Sequence, residues 1–245
     1  MDLLCDLGNT RAHLGLWDGA RLVSVWAVPH GPESEQGWEQ GLTGHPARAA
    51  LVHVHPAMRD RFLTWARGRG LAPRVLREDL PLPLPVEVAR PEQVGSDRLA
   101  SALWAARAFP GRAVLVFDLG TALTCGAVSA TGAFRGGAIA PGLSTGAWAL
   151  HARTARLPAV TPVSGPPALA GDTVGCIQSG LFWGAVGAIE ALAARIGREL
   201  GEQPLVVATG GDAALVAPHC PLIARVEPHA TLLGLAHALA EAGGP

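Results

Sequence analysis

The residues most suited to chemistry lie in two short motifs that combine a carboxylate, a glycine and a threonine. Asp6 to Thr10 has the sequence DLGNT, and Asp118 to Ala122 has the sequence DLGTA. Each motif follows an apolar run typical of a buried strand. A glycine turn after a strand exposes backbone N–H groups that can bind phosphate, and the neighbouring carboxylate can hold a cation. Two such turns facing each other would bind the phosphates of a nucleotide and its metal ion.

Each motif alone is also compatible with an ordinary β-turn, since Asp-x-Gly sequences are common in turns. Their repetition at matching points of the two halves favours phosphate binding. We expect Gly8 and Gly120 to allow a positive φ and a close approach of the backbone to the ligand. Thr10 and Thr121 add hydroxyl donors, and Asn9, the single asparagine of the sequence, lies in the first motif.

A third motif, Gly95 to Arg98 with the sequence GSDR, carries a candidate acid–base residue. Ser96 is expected to cap a helix and Asp97 to lie in its first turn, where the helix dipole stabilises a carboxylate. Such a carboxylate can accept the proton of a hydroxyl group, and Arg98 can bind a carboxylate or phosphate with two hydrogen bonds. A helix cap with a surface ion pair is the simpler alternative.

A glycine turn at Thr209 to Gly211 follows an apolar strand and precedes a predicted helix. Such a turn can let an adenine or ribose lie against the backbone at the start of the helix. Because strand-to-helix turns often need glycine for their geometry alone, this motif is weak evidence by itself.

The elements that position these motifs repeat along the chain. The first half is predicted to contain strands at 2–7, 12–17, 22–28, 49–55 and 74–77 and helices at 34–42, 57–69 and 97–108. The second half is predicted to contain strands at 113–119, 123–129, 133–140, 205–208 and 223–226 and helices at 144–154, 173–200, 212–217 and 231–242. This repetition predicts an α/β fold of two related domains, 1–110 and 111–245, with a cleft between them.

Composition excludes several classes of protein. Of 245 residues, 49% are hydrophobic and 16% are charged, as expected for a globular protein. A net charge of -1 without a basic stripe argues against nucleic-acid binding. We expect no membrane span and no signal segment, and hence a cytoplasmic protein. All 19 basic residues are arginine, which excludes a Walker A loop and a lysine nucleophile.

Other candidates for metal binding are weak. The four cysteines lie far apart in the sequence and are predicted to be small buried residues in a reducing compartment. His53 and His55 would lie on one face of a strand, but no third ligand follows at a defined spacing.

Six motifs occur in order across almost the whole chain, namely the four above with Gly136 to Gly142 and Thr154 to Pro158. In these motifs the sequence resembles the type III pantothenate kinases, from the superfamily of acetate and sugar kinases, Hsp70 and actin. The resemblance implies two ribonuclease-H-like (actin-like ATPase) domains, a homodimer, and ATP-dependent phosphorylation of pantothenate to 4′-phosphopantothenate, the first step of coenzyme A biosynthesis. It also implies a divalent cation, with Mg²⁺ expected, and a monovalent cation, K⁺ or NH₄⁺.

The resemblance implies roles for individual residues. Asp97 is expected to be the catalytic base for the pantothenate hydroxyl, and Asp118 the ligand of the monovalent cation. The residues expected to bind ATP are Asp6, Leu7, Gly8, Asn9, Thr10, Arg11, Ala12, His13 and Thr121. The residues expected to bind pantothenate are Val88, Gly95, Ser96, Asp97, Arg98 and Thr173.

Three positions depart from the family pattern. Val88 stands where the family often has a tyrosine that contacts pantothenate, and His13 stands where a longer basic or polar residue is frequent. Gly126 stands where a further aspartate usually follows the DLGTA motif. Two alternatives therefore stay open: a kinase of the same fold for another small hydroxylated substrate, and a non-catalytic regulator that keeps the fold and the dimer.

Replacement of Asp97 by asparagine tests the assignment of the base. Because an amide cannot accept the proton, we expect Asp97→Asn to lower turnover at least ~100-fold, the usual scale of acid–base contributions. ATP binding should stay near normal. Steady-state ADP release and a nucleotide titration measure the two effects, and wild-type turnover in the variant would contradict the assignment.

Overall fold

The computed structural model describes residues 1–243 and divides into two compact units. The first unit comprises Met1–Ala108 together with the residues from Ala230 onward, and the second comprises Phe109–His229. The predicted division at residue 110 differs from this at the last helix, which we assigned to the second domain and which packs in the first unit.

Both units combine one five-stranded sheet with helices. The first unit contains β1 (Asp2–Leu7), β2 (Arg11–Trp17), β3 (Leu22–Pro29), α1 (Ser34–Gln40), β4 (Arg48–His53), α2 (Pro56–Arg67), β5 (Pro73–Val75), a 3₁₀ turn (Pro91–Gln93), α3 (Ser96–Ala108) and α7 (Ala230–Glu241). The second contains β6 (Val114–Leu119), β7 (Ala122–Val128), β8 (Phe134–Pro141), α4 (Leu143–Arg153), α5 (Thr173–Leu200), β9 (Leu205–Thr209), α6 (Ala213–Val216), a 3₁₀ turn (Ala217–His219) and β10 (Ile223–Val226).

The two sheets have the same topology. The strand order is β3-β2-β1-β4-β5 in the first and β8-β7-β6-β9-β10 in the second. In each sheet three consecutive strands pair antiparallel, and two later strands add in parallel on the other side of the central strand. The predicted repeat is therefore confirmed, and the two DLG motifs lie at equivalent points, at the ends of β1 and β6.

Each unit has its own apolar core, formed by the strands and by the helix faces that cover them. In the first unit, Leu7 at the end of β1 is completely buried, and Trp38 of α1 packs edge-on against Trp65 of α2. In the second, Phe117 of β6 and Phe182 of α5 lie in one cluster. Burial of this apolar surface is the main favourable contribution to folding, and it holds the ends of the central strands in place.

The crossing of α3 and α7 explains why the last helix belongs to the first unit. A Cβ atom at Gly234 would collide with the carbonyl group of Ala100, so the two helix backbones touch and glycine is required there. The hydroxyl groups of Ser101 and Thr231 are hydrogen-bonded at 3.0 Å in the buried contact. These contacts fix α3, whose first turn carries Asp97.

Helix α5 is the longest element, with 28 residues. Asp172 caps its start by accepting a hydrogen bond from the Gly175 N–H at 2.8 Å, and Gly201 ends it at a φ of 70°. Within residues 1–243 it is the one helix that is long and apolar enough to cross a membrane, a test that core helices of globular proteins also pass.

Most predicted elements are observed with their ends shifted by a few residues, and two of the shifts have local causes. β4 ends at His53 because His55 caps α2, its Nδ1 accepting a hydrogen bond from the Met58 N–H at 3.4 Å. The predicted helix at 212–217 is α6 followed by a 3₁₀ turn, since Pro218 has no N–H to continue the helix.

Candidate functional site

The first DLG motif forms the turn between β1 and β2. Asp6 is half-buried at the end of β1, where it is paired with His13 of β2 and Val52 of β4. The next pair along the parallel ladder is Leu7 with His53. The carboxylate therefore lies at the edge of the sheet where three strands end or begin, with the exposed His13 directly across the ladder.

Hydrogen bonds from the backbone and from the His30 side chain fix this turn from two sides. The Gly8 N–H donates to the Arg11 carbonyl at 3.1 Å. The His30 N–H donates to the Thr10 carbonyl at 3.0 Å, and Nε2 of His30 lies 2.8 Å from the Gly8 carbonyl. Because a carbonyl only accepts, Nε2 is the protonated ring nitrogen. Asn9 and Thr10 are exposed at the tip of a fixed turn, where they can bind phosphate.

Besides Gly8, which has no side chain, two of the residues expected to bind ATP can offer backbone groups only. The side chains of Leu7 and Ala12 are completely buried in the core, and the Leu7 carbonyl accepts a hydrogen bond from Val54. Among the residues named for ATP in this loop, the exposed side chains are those of Asn9, Thr10, Arg11 and His13.

The GSDR motif places Asp97 in the first turn of α3, as predicted. The Asp97 carboxylate accepts a hydrogen bond from the Arg98 N–H at 2.8 Å. A Cβ atom at Gly95 would collide with the same carboxylate oxygen, so glycine at this position lets the carboxylate fold back over the start of the helix. Asp97 is half-buried, which leaves it accessible to a substrate hydroxyl.

Ser96 does not cap the helix as predicted, because α3 begins at Ser96 itself. Its hydroxyl donates to the His53 carbonyl at 3.2 Å and accepts from the His53 N–H at 3.4 Å. This reciprocal contact joins the start of α3 to the end of β4, next to Leu7 in the ladder. Asp97 and the first DLG turn are thus brought to the same edge of the first sheet.

The second DLG motif forms the turn between β6 and β7 and contains the half-buried Asp118. Asp118 is paired with Thr124 of β7 and with Thr209 of β9. The glycine turn after β9 packs directly on it, since a Cβ atom at Gly210 would collide with the Asp118 carboxylate and with the Leu119 carbonyl. The predicted glycine turn and the predicted cation ligand are therefore neighbours.

The start of α4 holds the other side of this turn. The Gly142 N–H donates to the Thr121 carbonyl at 3.1 Å, and the Thr145 hydroxyl donates to the same oxygen at 2.5 Å. A Cβ atom at Gly142 would collide with the Gly120 carbonyl. The Thr121 backbone is therefore fixed, while the residue itself stays exposed.

The glycines at the two DLG turns do not have the predicted backbone conformation. Neither Gly8 nor Gly120 has a positive φ, so that part of the expectation is wrong, while the close approach of their backbone to a ligand stays a prediction. The positive φ is found at Gly210, at 90°, and the closest backbone approach at Gly142. Glycine is needed here mainly where a second segment packs onto the turn.

Asp212 is a further carboxylate beside the second turn. Its N–H donates to the Leu119 carbonyl at 2.9 Å, and burial raises the pKa of its side chain. Helix α6 starts directly afterwards but has four residues, so the glycine turn is not followed by a long helix whose dipole could act on a ligand.

Thr173 lies exposed at the start of α5, beside an open cavity of about 710 Å³ within the second unit. Leu150, Leu157 and Ile177 line its apolar side. Cys176 also lines the cavity and is exposed. The prediction that all four cysteines are buried is therefore wrong for Cys176, whereas the other three cysteines are buried.

The departures from the family pattern lie in different surroundings. Gly126 is buried within β7, paired with Val116 and Gly137, and a Cβ atom there would contact the Phe134 ring at 3.4 Å. It is on the same face of the sheet as Asp118 but two ladder pairs further from the turn. Val88 is half-buried in a bend between β5 and α3.

Oxygen atoms near the turns suit a hard cation whose remaining coordination positions are filled by the bound substrate. Across residues 1–243, no three His, Cys, Asp or Glu side chains form a cluster that could hold a metal ion; His53 lies instead against Glu78 at 3.2 Å. The first turn has the Asp6 carboxylate, and the second turn has the Asp118 carboxylate and carbonyl oxygens such as that of Leu119. Mg²⁺ is commonly bound by one or two carboxylates together with substrate phosphates, so the carboxylate at either turn is a donor of the kind that Mg²⁺ uses.

Sequence reasoning missed the residues that hold the turns. His30 is 22 residues from the Gly8 carbonyl it binds, and Thr145 is 24 residues from the Thr121 carbonyl. No local pattern marks such contacts. Gly142 was part of a motif in the resemblance, and this was the one available signal.

Comparisons with a family model and with individual relatives point to the same protein family. A family model described as type III pantothenate kinase matches residues 2–195. A type III pantothenate kinase of Parafrankia is 37% identical over 96% of both chains, and one of Phenylobacterium zucineum is 40% identical over 96% of both chains.

Solved structures show the fold. A Campylobacter jejuni protein described as a Baf family transcriptional activator aligns with a TM-score of 0.67 at 18% identity over 98% of both chains. A Sinorhizobium meliloti protein described as a 2-dehydro-3-deoxygalactonokinase aligns with a TM-score of 0.61 at 13% identity over the full length of both. The fold predicted from the sequence, that of the actin-like ATPases and sugar kinases, is confirmed.

Gly210→Ala tests the packing of the glycine turn on Asp118. A methyl group at a φ of 90° would collide with the Asp118 carboxylate and the Leu119 carbonyl, so we expect a loss of roughly 1–3 kcal/mol in the free energy of unfolding. Gly211→Ala is the matched control, because a Cβ atom there meets nothing within 4 Å. Denaturant unfolding measures both, and equal stability of the two variants would argue against this packing.

Proposed function

The chain belongs to the type III pantothenate kinase family and so phosphorylates pantothenate with ATP, the first step of coenzyme A biosynthesis; we propose that Asp97 and the two DLG turns carry this reaction. The observation that supports the assignment most is the match over nearly the full length of the relatives, at 37% identity over 96% of both chains for one of them.

Asp97 is proposed as the catalytic base for the pantothenate hydroxyl. Its carboxylate is already oriented by the Arg98 N–H, and it accepts the hydroxyl proton late in transfer. Phosphoryl transfer through a loose transition state depends on positioning and charge neutralisation more than on a strong base. Arg98 is proposed to bind the pantothenate carboxylate with Gly95, Ser96 and Val88 nearby, and Thr173 is proposed as a further pantothenate contact.

The ATP phosphates are proposed to bind the exposed groups of the first turn and Thr121 of the second. In the first turn these are the side chains of Asn9, Thr10, Arg11 and His13 and the backbone near Gly8. Both turns are fixed by hydrogen bonds from His30, Gly142 and Thr145. A turn that is already fixed loses little conformational entropy when the nucleotide binds.

Two cations are proposed as cofactors. A monovalent cation, K⁺ or NH₄⁺, would be held by the Asp118 carboxylate with backbone oxygens around it. Asp6 is proposed to hold a divalent cation, Mg²⁺, together with the phosphates of ATP. Bound there, these ions would neutralise the charge of the transferring phosphoryl group.

We propose a cytoplasmic homodimer that forms through α5. Gly180, Gly184 and Gly187 form an exposed stripe on this helix, and Cβ atoms there would meet nothing within 4 Å. Trp148 on the neighbouring α4 is 67% exposed. Small residues let another helix approach closely, and an exposed aromatic ring supplies apolar contact area.

An ADP-release assay with and without K⁺ or NH₄⁺ tests the activity and the cation site. We expect pantothenate-dependent release that increases with the cation. In Asp118→Asn the cation concentration for half-maximal activation should rise about tenfold or more, since ligand charge sets cation affinity.

Asp212→Asn, which removes the carboxylate beside the same turn, is the control. Its cation concentration for half-maximal activation should equal that of the wild-type protein. Release with a sugar but not with pantothenate would instead support the alternative substrate class. No ADP release with any substrate would support the regulator.

Gly184→Arg tests the dimer. A long charged side chain in the glycine stripe would block close approach of a second helix, so we expect a dimer for the wild-type protein and a monomer with unchanged circular dichroism for the variant. Light scattering after size exclusion gives the mass. Ala240→Arg, at an exposed position of α7, should stay dimeric, and a dimeric Gly184→Arg variant would contradict the proposed interface.

A further inference from the structure

A strained backbone position lies outside the two turns. Among residues 1–243, Arg77 is the one non-glycine residue with a positive φ, 72°. A residue with a Cβ atom rarely adopts this conformation, and those that do are held by surrounding contacts and are often found beside functional sites.

The contacts that hold Arg77 form a turn from Val75 to Leu80. The Arg77 N–H donates to the Leu80 carbonyl at 2.8 Å, and the Leu80 N–H donates to the Val75 carbonyl at 3.0 Å. The Asp79 carboxylate accepts a hydrogen bond from the Val75 N–H at 2.5 Å. The N–H groups of Glu78 and Asp79 also donate to the Val75 carbonyl. With five bonds inside six residues, the turn is a rigid base for the side chains it carries.

Glu78 joins this turn to the end of β4. Its Oε1 accepts a hydrogen bond from Arg59 at 2.7 Å and lies 3.2 Å from Nε2 of His53. Burial acts to raise the pKa of Glu78, but the hydrogen bonds from His53 and Arg59 outweigh it, so the pKa lies below its usual value. Since the His53 backbone also binds Ser96, the turn and the start of α3 are attached to the same residue.

The Arg77 side chain reaches from this turn to the segment that leads into α3. Nη1 donates to the Val94 carbonyl at 2.8 Å, and Nη2 donates to the Pro91 carbonyl at 2.9 Å. Val94 directly precedes Gly95 and is three residues before Asp97. Because both bonds come from one planar guanidinium, they fix the orientation of the segment as well as its position.

We propose that Arg77 is a positioning residue for Asp97. Its left-handed backbone directs the guanidinium at the segment from Pro91 to Val94, and that segment sets where Gly95 and the Asp97 carboxylate lie. The inference rests on the proposed role of Asp97 as the base that acts on pantothenate.

Arg77→Gly separates the side chain from the backbone, because glycine adopts this φ without strain but lacks the guanidinium. We expect a melting temperature close to that of the wild-type protein and an unchanged KM for ATP. The kcat/KM for pantothenate should fall about tenfold, the factor that corresponds to the net contribution of about one hydrogen bond. Arg77→Lys keeps a cationic donor, so its kcat/KM for pantothenate should lie between those of Arg77→Gly and the wild-type protein. If the glycine variant does not fold, a kcat/KM for pantothenate lowered in Arg77→Lys, with an unchanged KM for ATP, tests the inference instead.

Arg74→Ala is the matched control, since Arg74 donates to the Asp79 carbonyl of the same turn at 2.8 Å. This variant should leave the KM for ATP and the KM for pantothenate unchanged. Wild-type kinetics in Arg77→Gly, an equal rise in both KM values, or no recovery in Arg77→Lys would overturn the inference. A wild-type protein that releases no ADP with pantothenate would overturn the proposed function and the inference with it, whereas an active wild type with an unaffected Arg77→Gly variant overturns the inference alone.

Discussion

The parallel pairing of each central strand with a strand that comes later in the chain is the constraint on which the rest of the structure depends. Parallel strands end at the same edge of a sheet, so β1 brings Asp6 to the edge where β4 ends at His53. In the second unit, β6 brings Asp118 beside Thr209 at the end of β9. Every candidate for ATP or cation binding in the turns derives its position from one of these two edges.

Close contact between backbones then makes the turns rigid. Gly210 and Gly142 let two further segments pack onto the second DLG turn, and neither would fit with a side chain. His30 fixes the first turn through two carbonyls. A reaction that depends on positioning gains from this, because the phosphate-binding groups are ordered before the nucleotide arrives.

Asp97 is held in a comparable way, by contacts that lie away from its carboxylate. Ser96 joins the start of α3 to β4, and Gly234 lets α7 pack directly on the α3 backbone. The turn that carries Arg77 adds a third attachment, on the segment before Gly95. The strained φ of Arg77 is tolerated because the hydrogen bonds of that turn hold it.

The sequence alone determined the repeated α/β fold and the family, because strand and helix periodicities are local and the motifs are contiguous. Asp97 was placed in the first turn of α3 for the same reason. Only the tertiary structure decided that Ser96 binds β4 instead of capping its helix, that α7 belongs to the first unit, and that the positive φ lies at Gly210 and not at Gly8. Each of these depends on contacts between residues far apart in the chain, such as Gly234 with Ala100 and His30 with Gly8. Local sequence patterns do not predict such contacts, because packing of the whole unit brings the partners together.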